Sequence, residues 1–197
     1  MKKKLQKKTI TSEKTRNRKT FNENKKLKAD PNSSEITALI LKDHKPIKEL
    51  LLILKDAEIS IAKKRPVFEE FERVLTNHAK AEEESLYVYL KQEDELCVEG
   101  IEGDTEHKMA ERLMNEVNES RDDEDTWMAK VKVLAEVVDH HVKEEEKEIL
   151  KDVRKEFNLE KRNEIGELYS RLIREYEDAY EKPKNFSQKE EMRAEHA

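Results

Sequence analysis

Only one cysteine, Cys97, occurs in the 197 residues, so the chain can form no internal disulfide and no cysteine-built zinc finger. That usage fits a reducing compartment, and cytoplasm is the expected location. No apolar run approaches the roughly 18 residues of a membrane helix, and the first residues lack the apolar stretch of a secretory signal. Glycine (three) and proline (four) are scarce while charged residues reach 44%, a balance that suits long amphipathic helices and suits sheets badly. An all-α fold is expected, and the length allows one core.

Charge is unevenly spread. Residues 1–30 hold twelve Lys/Arg and three Asp/Glu, a formal +9, whereas the remaining 167 carry 28 basic and 43 acidic residues, a formal −15. The first thirty-one residues show no helical period and read as a disordered basic arm. Such an arm is either a solubilising tail or a contact for an anionic partner, nucleic acid or a membrane surface, although nothing in it resembles a base-recognition motif.

Beyond the arm, apolar residues recur at helical spacing in five stretches. Asn32 is the expected N-cap of a helix striped by Ile36, Ile40, Ile47, Leu51, Leu54 and Ile61, running to about residue 62 and bent at Pro46. A second opens near Pro66 with Phe68, Phe71, Leu75, His78, Glu82, Leu86 and Tyr89 on one face. A third, starting near Gly100 or Gly103, carries His107, Ala110, Met114 and Val117. A fourth carries Trp127, Val131, Leu134, Val138, His141, Glu145 and Ile149. A fifth, with Ile165, Leu168, Leu172, Ile173 and Tyr176, is expected to stop at Pro183. Short connections favour an up-down-up-down four-helix bundle with an additional C-terminal helix on one side. The expected organisation is arm 1–31, helical bundle 32–182 and flexible tail 183–197.

Sliding the chain against itself by 63 residues superposes His44 on His107, His78 on His141, Glu82 on Glu145 and Glu83 on Glu146. Two helical hairpins are therefore repeated. Within each hairpin the histidines lie 34 residues apart, which returns the chain to the same level of the bundle. The repeat also decides between the adjacent histidines of the stretch HHVKEEEKEIL: His141 is in register with His78, and His140 is not. In His78-x-x-x-Glu82 and His141-x-x-x-Glu145 the i, i+4 spacing puts both side chains on one face, and that face is the apolar one.

Four histidines and two glutamates on inward stripes at one level make a poor core, because each buried carboxylate costs several kcal/mol unless it is paired. A metal ion removes the difficulty. Glu83 and Glu146 are expected to face outward, His140 to neighbour the site, and Glu111 and His196 to be surface and tail residues.

Asp43-His44, His78-x-x-x-Glu82-Glu83, Glu106-His107 and His141-x-x-x-Glu145-Glu146 are the residues on which the chain resembles the hemerythrin-like family, the HHE cation-binding domain, over about residues 34–158. The resemblance implies a non-haem centre of two iron ions, with His44, His78, His107 and His141 as terminal ligands and Glu82 and Glu145 bridging. It implies as well a function in binding or sensing oxygen, nitric oxide or peroxide. Oxygen-carrying members have a second histidine where this chain has Glu111 and an aspartate where it has Glu146, so the broader HHE group is the nearer likeness. A ferroxidase- or peroxidase-type enzyme of iron metabolism is the second reading, and an interaction module with a structural metal the third.

Overall fold

A computed structural model of the chain describes the backbone of residues 34–194, with side chains to residue 180. The basic arm expected over 1–31 and the tail expected over 183–197 lie outside the residues whose side chains are described. Among the described residues the chain is all helical, with α1 Ile36–Lys55, α2 Ile61–Glu84, α3 Leu86–Leu90, α4 Cys97–Glu119 and α5 Glu124–Glu144. A π-helical turn, Glu145–Ile149, leads into α6 Leu150–Glu156, and α7 Leu159–Ala194 continues as helix across Pro183, where the sequence predicts a stop.

Several boundaries differ from the expected ones for identifiable reasons. The cap of α1 is Glu35, whose carboxylate accepts the Thr37 N–H at 3.3 Å, and not Asn32, which lies outside the described residues. Arg154 and Arg162 pair with the same carboxylate at 3.2 and 3.0 Å, tying the start of α1 to α6 and α7. The first helix ends at Lys55 instead of residue 62, because the Asp56 side chain accepts the Glu58 N–H (2.9 Å) in a turn that competes with the helix. The second then opens at Ile61, ahead of Pro66. Its single predicted stripe is interrupted at Ser85, whose φ and ψ of −120° and −84° end α2. The break shifts the register by one residue, so Tyr87 and Leu90 are buried and Tyr89 is only half-buried.

Gly100 and Gly103 both lie inside α4. A Cβ on Gly103 would stand 2.6 Å from Cζ of Tyr87, so glycine there is what lets α3 lie against α4.

Polar contacts between the long helices give their relative directions. Lys55–Asp139, together with His44–Glu146 in the π-helical turn that follows α5, shows α1 and α5 running antiparallel. Glu83–His107 and Glu72–Asn118 show the same for α2 and α4. Glu106–His141 and Glu116–Lys130 do so for α4 and α5. α7 lies against α1 and α2.

The apolar interior is in two pieces. One cluster gathers Leu51, Phe68, Phe71, Leu75, Trp127 and Val131 toward the α1–α2 and α4–α5 connections. The other gathers Ile36, Ile40, Leu86, Tyr87, Leu150 and Ile165 at the opposite end. Along α1 the division falls at His44, between Ile40 and Ile47, and along α2 at His78 and Glu82, between Leu75 and Leu86. A buried polar layer thus separates two apolar ends.

Candidate metal centre

Each long helix delivers its polar residues to this layer at the point where the apolar period would otherwise place a hydrophobe. His44, His78, Glu82, His107, His141 and Glu145 are all buried. Their donor atoms fall into two groups, each able to hold a cation: His44, His78, Glu82 and Glu145 in one, and Glu82, His107 and His141 in the other. Glu82 is common to both. Glu145 Oε2 lies 3.2 Å from His44 Nε2 and 3.9 Å from His141 Nε2, so it also faces both groups.

Four of the six residues have inward atoms without partners. Nε2 of His44 and His78, and both carboxylate oxygens of Glu82 and of Glu145, are buried without a hydrogen bond. His78 Nε2 stands 3.4 Å from Glu82 Oε2, and His107 Nε2 stands 3.6 Å from the same oxygen. Leaving so many buried acceptors unpaired costs on the order of 1–3 kcal/mol apiece. Cations among them would remove that cost, so these donors fit a metal.

The outward atoms are all satisfied. His44 Nδ1 meets Glu146 at 3.1 Å, His107 Nδ1 meets Glu83 at 3.2 Å, and His141 Nδ1 meets Glu106 at 2.6 Å. His78 Nδ1 meets the Tyr169 hydroxyl at 2.9 Å, and that hydroxyl donates to Asp43 Oδ2 at 2.7 Å. A carboxylate only accepts, so each of these rings carries its hydrogen on Nδ1 and turns the Nε2 lone pair inward, the tautomer that metal binding requires.

Electrostatics follow from this burial. Burial and then the nearby charge of Glu145 push the Glu82 carboxyl well above its ordinary value. Burial also works to raise Glu145, but the approach of His44 Nε2 to 3.2 Å and the charge that ring can carry hold it below the ordinary carboxylate value. Burial drives His78 well below the usual imidazole range, with the neighbouring histidines adding to the effect. His107 is lowered by burial in the same way. Burial opposes protonation of His44, yet Glu145 and Glu146 outweigh it and raise the ring.

The expectation that Glu83 and Glu146 face outward is corrected: both are partly buried and bonded to site histidines. The signal was in the sequence, because the repeat that equates His44 with His107 also equates Glu146 with Glu83. It likewise equates the pair His141–Glu106 with His78–Asp43. The exception is Tyr169, inserted between His78 and Asp43 from α7; its spacing of four from Ile165 and three from Leu172 places it on the buried face. His140 stays outside the layer, 66% exposed and paired with Glu144 at 3.2 Å. Glu111 is exposed at the rim of a cavity of about 60 Å³ lined by Leu75, Ala79, Glu83, His107, Ala110 and Met114.

Among the described residues no helix is long and apolar enough to cross a membrane. No curated protein and no solved structure matches the sequence significantly. The sequence profile of the family described as Hemerythrin HHE cation binding domain matches residues 35–153, the span that contains all six inward residues. A match over more than half of the chain, with its histidines and glutamates converged in one buried layer, shows that the chain belongs to the hemerythrin HHE cation-binding family.

Proposed function

We propose that the chain is a non-haem di-iron protein that binds or senses oxygen, nitric oxide or peroxide, built as an up-down-up-down bundle of α1, α2, α4 and α5 with α7 against one side. His44, His78, His107 and His141 are the terminal ligands through Nε2, and Glu82 and Glu145 are the bridges. The observation that carries this reading is the convergence of six unsatisfied or mutually repelling donors into two groups that share Glu82. Imidazole and carboxylate together suit iron, whereas a structural zinc would close with four ligands and would not use six. When bound, the ions supply redox chemistry and open coordination positions.

The protein's own residues restrict what reaches them. The cavity beside His107 is mostly apolar and, at about 60 Å³, has room for a diatomic molecule or peroxide but not for an organic substrate. Glu83, Glu106, Glu146 and Tyr169 hold the four rings from behind. A peroxide-reducing enzyme is the second reading, favoured by Tyr87: its hydroxyl is fully buried without a partner, its ring lies against His107, and burial keeps the phenol protonated as a potential proton source. A cytoplasmic location is part of the proposal and rests on the single, unpaired Cys97.

Optical spectra of the iron-loaded, anaerobically reduced protein, taken before and after oxygen, nitric oxide or peroxide, test the assignment. A reversible ligand band supports binding or sensing. Rapid irreversible oxidation with turnover supports the enzyme, and no response would leave only a structural metal.

A further inference from the structure

The twofold repeat makes a specific demand on the site's surroundings. His44–Glu146 in one half corresponds to His107–Glu83 in the other, and both contacts are made, at 3.1 and 3.2 Å. His141–Glu106 should correspond to His78–Asp43, and here the correspondence breaks. Glu106 reaches His141 directly at 2.6 Å. Asp43 has a side chain one carbon shorter, and the gap is filled by the Tyr169 hydroxyl, 2.9 Å from His78 Nδ1 and 2.7 Å from Asp43 Oδ2.

Tyr169 belongs to α7, outside the residues 35–153 that the family profile matches. The four long helices alone would leave His78 Nδ1 without a partner. Resting on the metal reading above, we infer that α7 is a working part of the metal centre and that Tyr169 is a positioning residue for His78. The hydroxyl has one hydrogen and gives it to Asp43, so the contact with His78 is donated by the imidazole Nδ1–H. That bond fixes the ring's tautomer and its rotation about Cβ–Cγ, directing Nε2 toward Glu82.

The same arrangement makes the two halves of the centre unequal. His107 and His141 each donate to a carboxylate, which strengthens an imidazole as a ligand. In the other half Glu146 is shared between His44 and Lys48, which lies 2.5 Å from the same oxygen, and His78 meets a neutral phenol. The imidazoles of the His44–His78 half are therefore the less strongly supported from behind, and in that half the hydroxyl of Tyr169 is the one outward partner of His78.

Cobalt(II) titration of the metal-free full-length protein, followed by visible absorption, reads both points. The wild type should take up two equivalents in distinguishable steps. Tyr169→Phe keeps the ring and its packing but removes the hydroxyl; one step, that of the His44–His78 half, should weaken by about 10–100-fold, with altered bands, while the other is unchanged. Leu172→Ala loosens the docking of α7 without touching the hydroxyl, and should lower the melting temperature while leaving both steps in place. A Tyr169→Phe protein that titrates like the wild type would overturn the inference and leave the metal reading intact. So would a Leu172→Ala protein showing the same loss, since helix docking and not the hydroxyl would then be responsible. A wild type that takes up no cobalt removes the metal reading, and this inference with it.

Discussion

The imidazoles of His107 and His141 meet nearly edge to face, with their Nε2 atoms 3.0 Å apart and both Nδ1 atoms turned away toward Glu83 and Glu106. With hydrogen on each Nδ1, the neutral rings point two lone pairs at one another, a repulsive contact until a proton or a cation comes between them. Metal affinity and fold stability are linked for this reason, because the donors converge only in the folded chain. Adding iron(II) or cobalt(II) should raise the melting temperature, by the equivalent of about 2.7 kcal/mol at a hundredfold excess over Kd. A chelator should reverse the shift. Thermal melts with and without metal check this, and a midpoint indifferent to metal would count against a buried cation.

Glu82 gives that linkage a pH dependence. Burial, followed by the charge of Glu145, raises its carboxyl well above 4.5. Between that ordinary value and the raised one, folded metal-free protein keeps a proton on Glu82 that the unfolded chain has lost. The metal-free fold therefore loses stability as pH rises through this window and regains it below. A cation must expel the proton, so lowering the pH within the window should weaken metal binding and increase the protons released. Calorimetric titration in two buffers of different ionisation enthalpy counts them. Glu82→Gln should release fewer protons than the wild type, and equal counts would show that Glu82 is already ionised.

Much of this site was legible in the sequence because helical period and the 63-residue repeat are both local, additive signals. The six inward residues follow from stripe and register alone. Less legible were the features set by irregular backbone or by a partner distant in sequence. The break at Ser85 shifted burial from Tyr89 to Tyr87. The π turn at Glu145–Ile149 inserts a residue into the last stripe, so that Leu150 and Val153 are buried after Ile149, and such turns are frequent at functional sites. Tyr169 could be read as buried from its spacing, yet no spacing rule pairs it with a histidine 91 residues earlier.

Gly166 shows how closely α7 must approach. A Cβ at this position would overlap the Ser34 carbonyl oxygen and stand 3.0 Å from the Ile36 backbone nitrogen. Backbone cannot give way as a side-chain tip can, so Gly166→Ala should push α7 off the start of α1 at a cost of about 1–3 kcal/mol. At roughly 2–4 °C per kcal/mol for a chain of this size, the melting temperature should fall by several degrees. An unchanged or higher midpoint would mean that the helix already has room there.

The adjacent histidines separate the site from its imitation. His141 is buried, with Nε2 facing His107 and Nδ1 held by Glu106, while His140 is 66% exposed and pairs with Glu144 one turn on. Both pairs, His140–Glu144 and His141–Glu145, have the same i, i+4 spacing, and successive residues stand about 100° apart around a helix, so only one pair can look inward. His141→Ala removes a donor from the group formed with Glu82 and His107, and should halve or abolish the bound iron and change its ligand-to-metal absorption. His140→Ala breaks a solvent-exposed ion pair with Glu144, worth about 0–1 kcal/mol, and takes a neighbour from Glu106, but removes no inward donor and should leave iron content at the parent level. Glu145→Ala and Glu144→Ala put the same question to the carboxylates, and Glu145→Ala should be the more severe, since its oxygens face both groups of donors. Iron analysis of the four purified variants decides the matter. Loss of iron in the His140 and Glu144 variants with retention in the other two would place the inward face one residue away from where the packing puts it.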